Sequence, residues 1–358
     1  MFDVKSATFD ETATFIASLG EPAFRARQVY DWVHKKLVGS FAEMANVPKE
    51  LRTKLAKHAF IQTATISEKK ISKDGTIKYL NSIGNHTIIE EGEVFVESVL
   101  MRYNHGNALC ISTQAGCAMG CVFCASGKNG LHRNLTPGEI LAQVHSVIND
   151  IGEQVSNITL MGSGEPLDNF ENTLKFIHLI TSPDTLNIAA RRLTLSTVGL
   201  TDKIYRLAEE KLQINLAVSL HAPNDRVRAE FLPVTRAFAL DKLLAACKHY
   251  GDTTKRRITF EYAMIAGKND RTDQAAELAG KLRNMLCHVN LIPINNAIGT
   301  RNKYKPSANQ SITAFRDTLI KNGIETTIRR TLGSDINAAC GELVSHRNIQ
   351  NPDKSHEK

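Results

Sequence analysis

Between residues 108 and 321, short apolar segments typical of β-strands alternate with longer segments typical of helices, six times in succession. Parallel strands need long crossover connections, usually helices, so this alternation predicts an α/β fold whose parallel sheet is open or closed into a barrel. Functional side chains of such folds gather at the carboxyl ends of the strands. The predicted strand–helix pairs are Ala108–Ser112 with a helix from Thr136, Asn157–Met161 with Phe170–Ile180, Arg192–Ser196 with Asp202–Glu209, Ile214–Leu220 with Leu240–Tyr250, Arg257–Met264 with Gln274–Met285, and His288–Ile294 with Ile312–Lys321, followed by an added run at Thr326–Arg330.

The segments before this alternation have a different character. Residues 1–58 carry apolar residues at helical spacing and predict an accessory helical domain, whose basic face is either solvated or in contact with RNA. Residues 59–107 are rich in β-forming residues, with hairpin signals at Lys73-Asp74-Gly75 and Gly84-Asn85. We therefore divide the chain into a helical domain (1–58), a β-rich extension (59–107), a core (108–343) and a polar tail (344–358).

The composition excludes several classes of protein. The 358 residues are 42% hydrophobic and 23% charged, which is typical of a globular chain. No apolar run of about 18 residues is present, and the N-terminus lacks the basic start and apolar stretch of a signal peptide, so we expect a cytoplasmic protein without a membrane span. The formal net charge of +7 permits a polyanionic partner without requiring one.

Cysteines are concentrated just after the first predicted strand of the core. The seven cysteines are too few and odd in number for a disulfide scaffold, yet Cys117, Cys121 and Cys124 form a CxxxCxxC motif. Three thiolates from one loop can hold three irons of a [4Fe–4S] cluster and leave the fourth iron open. Zinc is the alternative, although structural zinc prefers four ligands and the nearby Cys110 lies inside the preceding strand.

The CxxxCxxC motif after the first strand resembles the signature of radical S-adenosylmethionine (SAM) enzymes. That resemblance implies a partial (β/α)6 TIM-like barrel and a [4Fe–4S] cluster whose open iron binds the amino and carboxylate groups of SAM. An electron from the cluster then cleaves SAM to a 5′-deoxyadenosyl radical, so that the cofactors carry the difficult chemistry. The Gly162-Ser163-Gly164-Glu165-Pro166 turn and later strand ends supply the expected SAM contacts, which are Gly164, Glu165, Ser196, Ser219, Leu220, His221 and Asn295.

Further motifs, from about residue 20 to about residue 343, resemble the RlmN/Cfr family of RNA adenine methyltransferases. The resemblance implies that Cys340 carries an S-methylcysteine intermediate, that Glu97 accepts a proton and that Cys110 is a second, resolving thiol. The segments that carry it are Gly20-Glu21-Pro22 through Lys35-Lys36, Val96-Glu97-Ser98-Val99, Cys110 through Gly130, Met161 to Leu167, Leu195-Ser196-Thr197, Ser219 to Pro223, Val289 to Ile294, and Asp335 through Gly341.

The reaction implied by this resemblance occurs in two stages, because adenine C2 and C8 have no lone pair that attacks the SAM methyl group. Cys340 takes a methyl group from one SAM, and the radical from a second SAM abstracts hydrogen from that S-methyl group. The carbon radical adds to the adenine carbon, giving a covalent protein–RNA adduct. Glu97 removes the proton from the attacked carbon, and Cys110 attacks the Cys340 sulfur to form a disulfide and release the methylated base.

The implied substrates are 23S rRNA in the peptidyl-transferase region and tRNA at the adenosine 3′ of the anticodon, both methylated at C2. Pro166 and the Glu21-Pro22 segment favour an RlmN-type enzyme over a Cfr-type C8 methyltransferase, whereas Ser163 departs from the methionine common at its position. We also expect a monomer and an electron donor such as flavodoxin or ferredoxin. Alternatives of other classes are a non-catalytic zinc-containing RNA-binding protein and a radical SAM enzyme that modifies a protein or a metabolite.

The RNA-binding residues are less sharply indicated. A target carbon that enters a closed site requires an adenosine splayed out of its stack. Basic residues near loops and strand ends are candidate phosphate contacts, and each is alternatively part of the solvated surface. They are Lys128, His132, Arg133, Arg191, Arg192, Lys255, Arg256, Arg257, Arg301, Lys303, Lys305, Arg329 and Arg330.

Overall fold

The computed structural model describes residues 1–84, 94–128, 130–294 and 304–338. Several residues singled out in the sequence lie outside these ranges: Asn85, Asn295, Arg301, Lys303, Cys340 and the tail 344–358. Within the described ranges, no helix has the length and apolar character needed to cross a membrane.

The N-terminal unit combines helices with a short parallel strand pair. The helices α2 (Phe24–His34) and α3 (Lys49–His58) lie within the segment predicted to be helical, and their apolar faces pack into a separate core with the preceding helix. That helix, α1, begins with a capping box in which the side chains of Thr8 and Glu11 each accept a backbone N–H of the other residue. The elements are β1 (Phe2–Asp3), α1 (Phe9–Ser18), α2 (Phe24–His34), α3 (Lys49–His58) and β2 (Ala59–Phe60).

An antiparallel meander follows and joins the main sheet at its last strand. Its strands are β3 (Thr65–Ile71), β4 (Ile77–Ile83), β5 (Val94–Tyr103) and β6 (Gly106–Cys110). The turn between β3 and β4 falls at the predicted Lys73-Asp74-Gly75, where Gly75 has a φ of +84° that favours glycine. The β-rich region therefore extends the sheet of the core. A small hairpin, β7 (Gln114–Gly116) and β8 (Leu131–Asn134), comes next and brackets the cysteine motif.

The core confirms the predicted α/β fold with parallel strands. The described residues form one large sheet in the order β14-β13-β12-β11-β10-β9-β6-β5-β4-β3, and every pair from β6 to β14 is parallel. The remaining elements are α4 (Pro137–Ile151), β9 (Val155–Leu160), α5 (Phe170–Thr181), β10 (Leu193–Thr197), α6 (Thr201–Glu209), β11 (Asn215–Ser219), α7 (Asp225–Arg228), α8 (Leu240–Thr254), β12 (Ile258–Met264), α9 (Thr272–Leu282), β13 (Cys287–Pro293), α10 (Asn309–Lys321) and β14 (Thr326–Ile328).

The N-terminal unit packs directly on α4. The Gly138 N–H donates to Ser6 Oγ at 2.8 Å, and a Cβ at Gly138 would collide with Ser6 and Asp3, so glycine permits this close approach. Deeper in the interface, the rings of His34 and His145 meet edge to face with centroids 6.3 Å apart. Neither ring nitrogen of His145 has a hydrogen-bond partner among the described residues.

Both imidazoles in this interface are held in the neutral form. Burial, together with the nearby Lys5 ammonium, lowers the pKa of His34 from 6.5 to about 3. Burial, Lys5 and His34 lower the pKa of His145 well below 6.5. The unfolded chain binds protons at both sites as the pH falls below 6.5, whereas the folded chain does not, so protonation favours unfolding.

We therefore expect the free energy of unfolding to fall as the pH is lowered from 6.5, by up to ~1.4 kcal/mol per pH unit for each histidine. Denaturant unfolding at several pH values measures this slope. His145→Leu removes one buried imidazole and should make the slope shallower, whereas His178→Gln, at an exposed position, serves as the control. Equal slopes for the wild type and His145→Leu would contradict the assignment.

Candidate active site

A cavity opens where the parallel strands end, as predicted for functional residues of this fold class. It encloses about 1120 Å³ of space between atoms, part of which is open to solvent. Residues from the loop that carries the cysteine motif (117–128, the cysteine loop) and from the ends of six neighbouring strands, β9 to β14, line it. They are Cys117, Cys121, Phe123, Cys124, Ser126, Leu160, Met161, Gly162, Gly164, Glu165, Ser196, Thr197, Val198, Ser219, His221, Glu261, Ala263, Ile292, Pro293, Ile294 and Arg329.

The cysteine loop is fixed by the small hairpin that brackets it. The Cys117 N–H donates to the Gly130 carbonyl oxygen at 2.9 Å. Gly116 has a φ of +77°, and a Cβ there would collide with the same carbonyl, so only glycine allows the loop to start in this way. The structure thus brings together on the cavity wall the three thiols that the sequence grouped: Cys117, Cys121 and Cys124.

The rest of the loop is anchored across the cavity mouth. The Val122 N–H donates to the Phe231 carbonyl oxygen at 3.0 Å. The Phe123 ring meets the His221 imidazole at nearly a right angle, with centroids 4.9 Å apart. These contacts connect the cysteine loop to the end of β11, so the loop and the strand ends form one wall.

The three thiols fit a cluster with cysteine ligands. Burial raises the pKa of Cys117 to about 12 and that of Cys121 well above its usual range, so these two thiols are neutral until a metal displaces their protons. Among the described residues, no three His, Cys, Asp or Glu side chains converge on one point as ligands of a single metal ion do. A [4Fe–4S] cluster is bound at its corners, so its thiolates do not need such a common centre.

The predicted SAM contact Glu165 joins two strand-end loops. Its carboxylate accepts the Leu167 N–H at 3.0 Å and the Val198 N–H at 2.8 Å. Burial raises the pKa of Glu165 to about 7, against the opposing effect of these hydrogen bonds. Gly164 precedes it with a φ of +107°, and a Cβ there would collide with Gln114. The loop after β9 is therefore built closely against the hairpin that carries the cysteines.

The other predicted SAM contacts divide between the cavity and the core. Ser196, Ser219 and His221 line the cavity. His221 Nδ1 accepts the Ala263 N–H at 2.9 Å, and burial lowers the pKa of His221 to about 3, so the ring is neutral with its hydrogen on Nε2. Leu220 is fully buried in the hydrophobic core and does not line the cavity.

Glu261 is a cavity residue that the sequence interpretation missed. Its carboxylate accepts a hydrogen bond from Asn290 Nδ2 at 2.9 Å and lies 4.0 Å from Arg329 Nη1. Burial raises the pKa of this carboxyl group. The available signal was a carboxylate between two aromatic residues, Phe260 and Tyr262, in the middle of a predicted strand. Arg329, considered in the sequence only as an RNA contact, also lines the cavity.

Arg228 was also missed, and no sequence pattern distinguishes it from a surface arginine. The side chain is completely buried beside the cavity. Its Nη2 donates to the carbonyl oxygens of Val198 at 2.6 Å and Ser219 at 3.3 Å. Arg228 thus ties together the loops that follow β10 and β11.

A second group of predicted residues lies on the sheet beside the cavity. Glu97 and Val99 alternate onto the same face of β5, and Cys110 on β6 pairs directly with Val99. Glu97 and Cys110 therefore share one face of the sheet, and both are buried. Val99, Cys110 and Ala338 form a small apolar cluster, against which Met161 of the cavity wall also packs.

One basic residue proposed as an RNA contact is engaged within the protein. Arg133 forms two hydrogen bonds with the Glu139 carboxylate, at 2.7 and 2.8 Å, and its side chain is only 11% exposed. Arg257, by contrast, forms an exposed ion pair with Glu325. Arg133 accordingly supports the start of α4, where Glu139 belongs to the capping box.

Comparisons with known proteins agree with this geometry. The family model described as the ribosomal RNA large subunit methyltransferase N-terminal domain (RlmN_N) matches residues 3–61, and that of the radical SAM superfamily matches residues 111–279. A probable dual-specificity RNA methyltransferase RlmN of Clostridium novyi is 48% identical over 344 residues, covering 96% of this chain and 98% of the relative. The protein of the same description from Alkaliphilus oremlandii is 49% identical over 350 residues, covering 98% and 99%.

A solved structure is similar over nearly the whole chain. The crystal structure of a radical SAM methyltransferase from Sphaerobacter thermophilus superimposes with a TM-score of 0.90 at 40% sequence identity. The match covers 96% of this chain and 99% of that one. The similarity therefore includes the N-terminal unit and the β-rich extension as well as the core.

We expect Cys117→Ala to lose most of the bound iron and sulfide, because two thiolates cannot replace a three-cysteine set. Iron and sulfide analysis and visible absorption of anaerobically reconstituted protein measure this loss. Cys287→Ala, which changes a buried cysteine on β13 away from the cavity, is the matched control and should keep its cluster. Full iron content in Cys117→Ala, or stoichiometric zinc in the wild type, would refute the cluster assignment.

Proposed function

The chain belongs to the RlmN family of dual-specificity radical SAM RNA methyltransferases, and from this membership we propose that it methylates C2 of adenosine in two RNAs. The substrates are 23S rRNA in its peptidyl-transferase region and tRNA at the adenosine 3′ of the anticodon. The enzyme consumes two SAM molecules per turnover, forms S-methylcysteine at Cys340 and resolves a protein–RNA adduct through a Cys110–Cys340 disulfide. It acts in the cytoplasm as a monomer, with flavodoxin or ferredoxin as electron donor.

One observation carries this proposal: Glu97, Cys110 and the segment that leads to Cys340 meet on one face of the sheet. Ala338 packs in the same cluster as Cys110. Cys340 follows Ala338 by two positions in the sequence. A base and two thiols within a few ångströms of each other are what adduct formation and disulfide release require.

The residues present fit both cofactors. Cys117, Cys121 and Cys124 would hold the cluster, and the polar strand-end residues on the otherwise apolar cavity wall, with Asn295 as a further predicted contact, would hold SAM. When bound, these cofactors supply the methyl group, the radical that makes the S-methyl carbon reactive and the associated electron transfer. Met161 lies on the cavity wall and also packs against the cluster of Val99, Cys110 and Ala338. The cofactor cavity therefore adjoins the sheet face that carries Glu97 and Cys110, which we call the thiol face.

The protein's own groups complete the reaction. In the adduct, a methylene joins the Cys340 sulfur to the adenine carbon, and Glu97 takes the proton from that carbon. The Cys110 thiolate then attacks the Cys340 sulfur: an S–S bond forms, the sulfur–methylene bond breaks and its electron pair stays on carbon, which takes up a proton to become the methyl group. The disulfide must be reduced by a thiol before the next turnover.

Analysis of the product tests the proposal directly. Reconstituted enzyme with SAM and a reductant is incubated with tRNA or with a fragment of the 23S rRNA peptidyl-transferase region, and the digested nucleosides are identified by mass spectrometry against synthetic standards. We expect 2-methyladenosine from both RNAs. 8-Methyladenosine would indicate a Cfr-type enzyme, and unmodified RNA from cluster-loaded enzyme would reject the proposal.

We expect Cys110→Ala to accumulate a covalent protein–RNA adduct, because the sulfur that displaces Cys340 is missing. Denaturing gel electrophoresis detects the adduct, and mass spectrometry locates the bridge at Cys340. Cys247→Ala, a buried cysteine of α8 outside the cavity, should turn over without adduct. Normal turnover by Cys110→Ala would exclude its role as the resolving thiol.

A further inference from the structure

A largely buried lysine connects the proposed base to the segment that precedes Cys340. Lys78 on β4 places its Nζ 2.9 Å from Glu97 Oε1, and the two side chains are only 12% and 8% exposed. The same ammonium donates to the carbonyl oxygen of Asn337 at 2.9 Å. One cation therefore contacts both the carboxylate and the backbone three residues before Cys340.

The sheet register accounts for this placement. Lys78 pairs with Val99 across β4 and β5, and Val99 pairs with Cys110 across β5 and β6. Directly paired residues project from the same face of a sheet, so Lys78, Val99 and Cys110 form a row across three strands, with Glu97 one step along β5. Lys78 lies in this row within the antiparallel extension, outside the parallel core.

The turn between β3 and β4 holds the segment that contains Asn337, the residue to which Lys78 donates. Asp74 Oδ2 accepts the Gly333 N–H at 2.8 Å, and the Asp335 carboxylate accepts the Ser72 hydroxyl at 2.5 Å and the Lys73 N–H at 3.1 Å. These bonds hold residues 333–338 against the hairpin. Hydrogen bonds that do not involve Lys78 therefore already hold this segment beside β4, and the contact between Lys78 and Asn337 is one part of a larger interface.

We propose that Lys78 is a positioning residue for adduct release, which orients the Glu97 carboxylate and holds residues 333–338 next to it. This inference rests on the proposed function, in which Glu97 deprotonates the adenine carbon. An adjacent ammonium favours the charged, accepting form of a buried carboxylate, and a hydrogen bond to that ammonium fixes its orientation. Lys78 touches neither the adenine nor the cofactors in this role and acts through Glu97.

The matched variants differ by one charge. Lys78→Met keeps the length of the side chain and removes its charge, and Lys78→Arg keeps the charge. Lys70→Met is the control, because Lys70 faces Lys78 across β3 and β4 but pairs with Glu68 at 54% and 48% exposure. Each variant is loaded with cluster and SAM and followed in single turnover, with methylcysteine at Cys340, covalent adduct and methylated RNA quantified separately.

For Lys78→Met we expect methylcysteine and adduct to form while release slows by ~10- to 100-fold, because a misplaced catalytic group costs this much. The adduct should therefore accumulate, Lys78→Arg should restore most of the release rate, and Lys70→Met should behave as the wild type. If Lys78 acts through Glu97, the double variant Lys78→Met/Glu97→Gln should release product no more slowly than Glu97→Gln alone.

The same experiment separates the two ways in which this reasoning can fail. Normal release by Glu97→Gln would overturn the proposed base itself. Slow release by Glu97→Gln but normal release by Lys78→Met would overturn only the role of Lys78. Loss of methylcysteine and adduct in folded Lys78→Met would also overturn it, since the defect would then precede release. If Lys78→Met does not fold, Lys78→Gln is examined by the same assay and the same criteria.

Discussion

The hydrogen-bonded register of the parallel strands determines where the candidate site residues lie. Because β9 to β13 run parallel, their carboxyl ends and the loops after them meet at one rim. Within the sheet, Ser219 pairs with Glu261 and Glu261 pairs with Asn290, so polar residues form a row across three strands that leads up to the cavity. Strand side chains alternate with a period of two, so a slip of one residue would turn this row toward the helices and leave a buried carboxylate without its amide.

The antiparallel extension adds strands beside this rim that a parallel barrel alone would not have. It continues the sheet beyond β6, so the face that carries Cys110 also carries Glu97 from β5 and Lys78 from β4. Its turn holds the chain segment that comes from the opposite edge of the sheet, after β14. The cofactor cavity and the thiol face can therefore be built by different strands and still share the side chain of Met161.

Much of this arrangement could be predicted from the sequence because helices and strands have different hydrophobic periods. The helix predicted at Phe170–Ile180 is found at Phe170–Thr181, and the strand predicted at Arg257–Met264 is found at Ile258–Met264. The β7–β8 hairpin was missed because its strands are too short to show alternation. Leu220 was grouped with Ser219 and His221 by proximity in sequence, although neighbours in extended backbone point in opposite directions. The roles of Glu261, Arg228 and Lys78 depend on contacts between distant segments, which no local pattern encodes.

Two largely buried cations donate to backbone carbonyl groups, Arg228 at the rim and Lys78 beside the sheet face that carries Glu97 and Cys110. Where parallel strands end at a cavity, their last carbonyl groups have no further strand to accept hydrogen bonds from, and covering them with backbone would fill the site. Arg228 donates to the carbonyl groups of Val198 and Ser219, and Lys78 donates to that of Asn337. A long side chain can donate hydrogen bonds to such carbonyl groups from the buried side and leave the cavity free. Removal of either cation would leave carbonyl acceptors unpaired, so these positions tolerate neutral replacements poorly. Each cation thus holds a neighbouring chain segment in place through the carbonyl groups to which it donates.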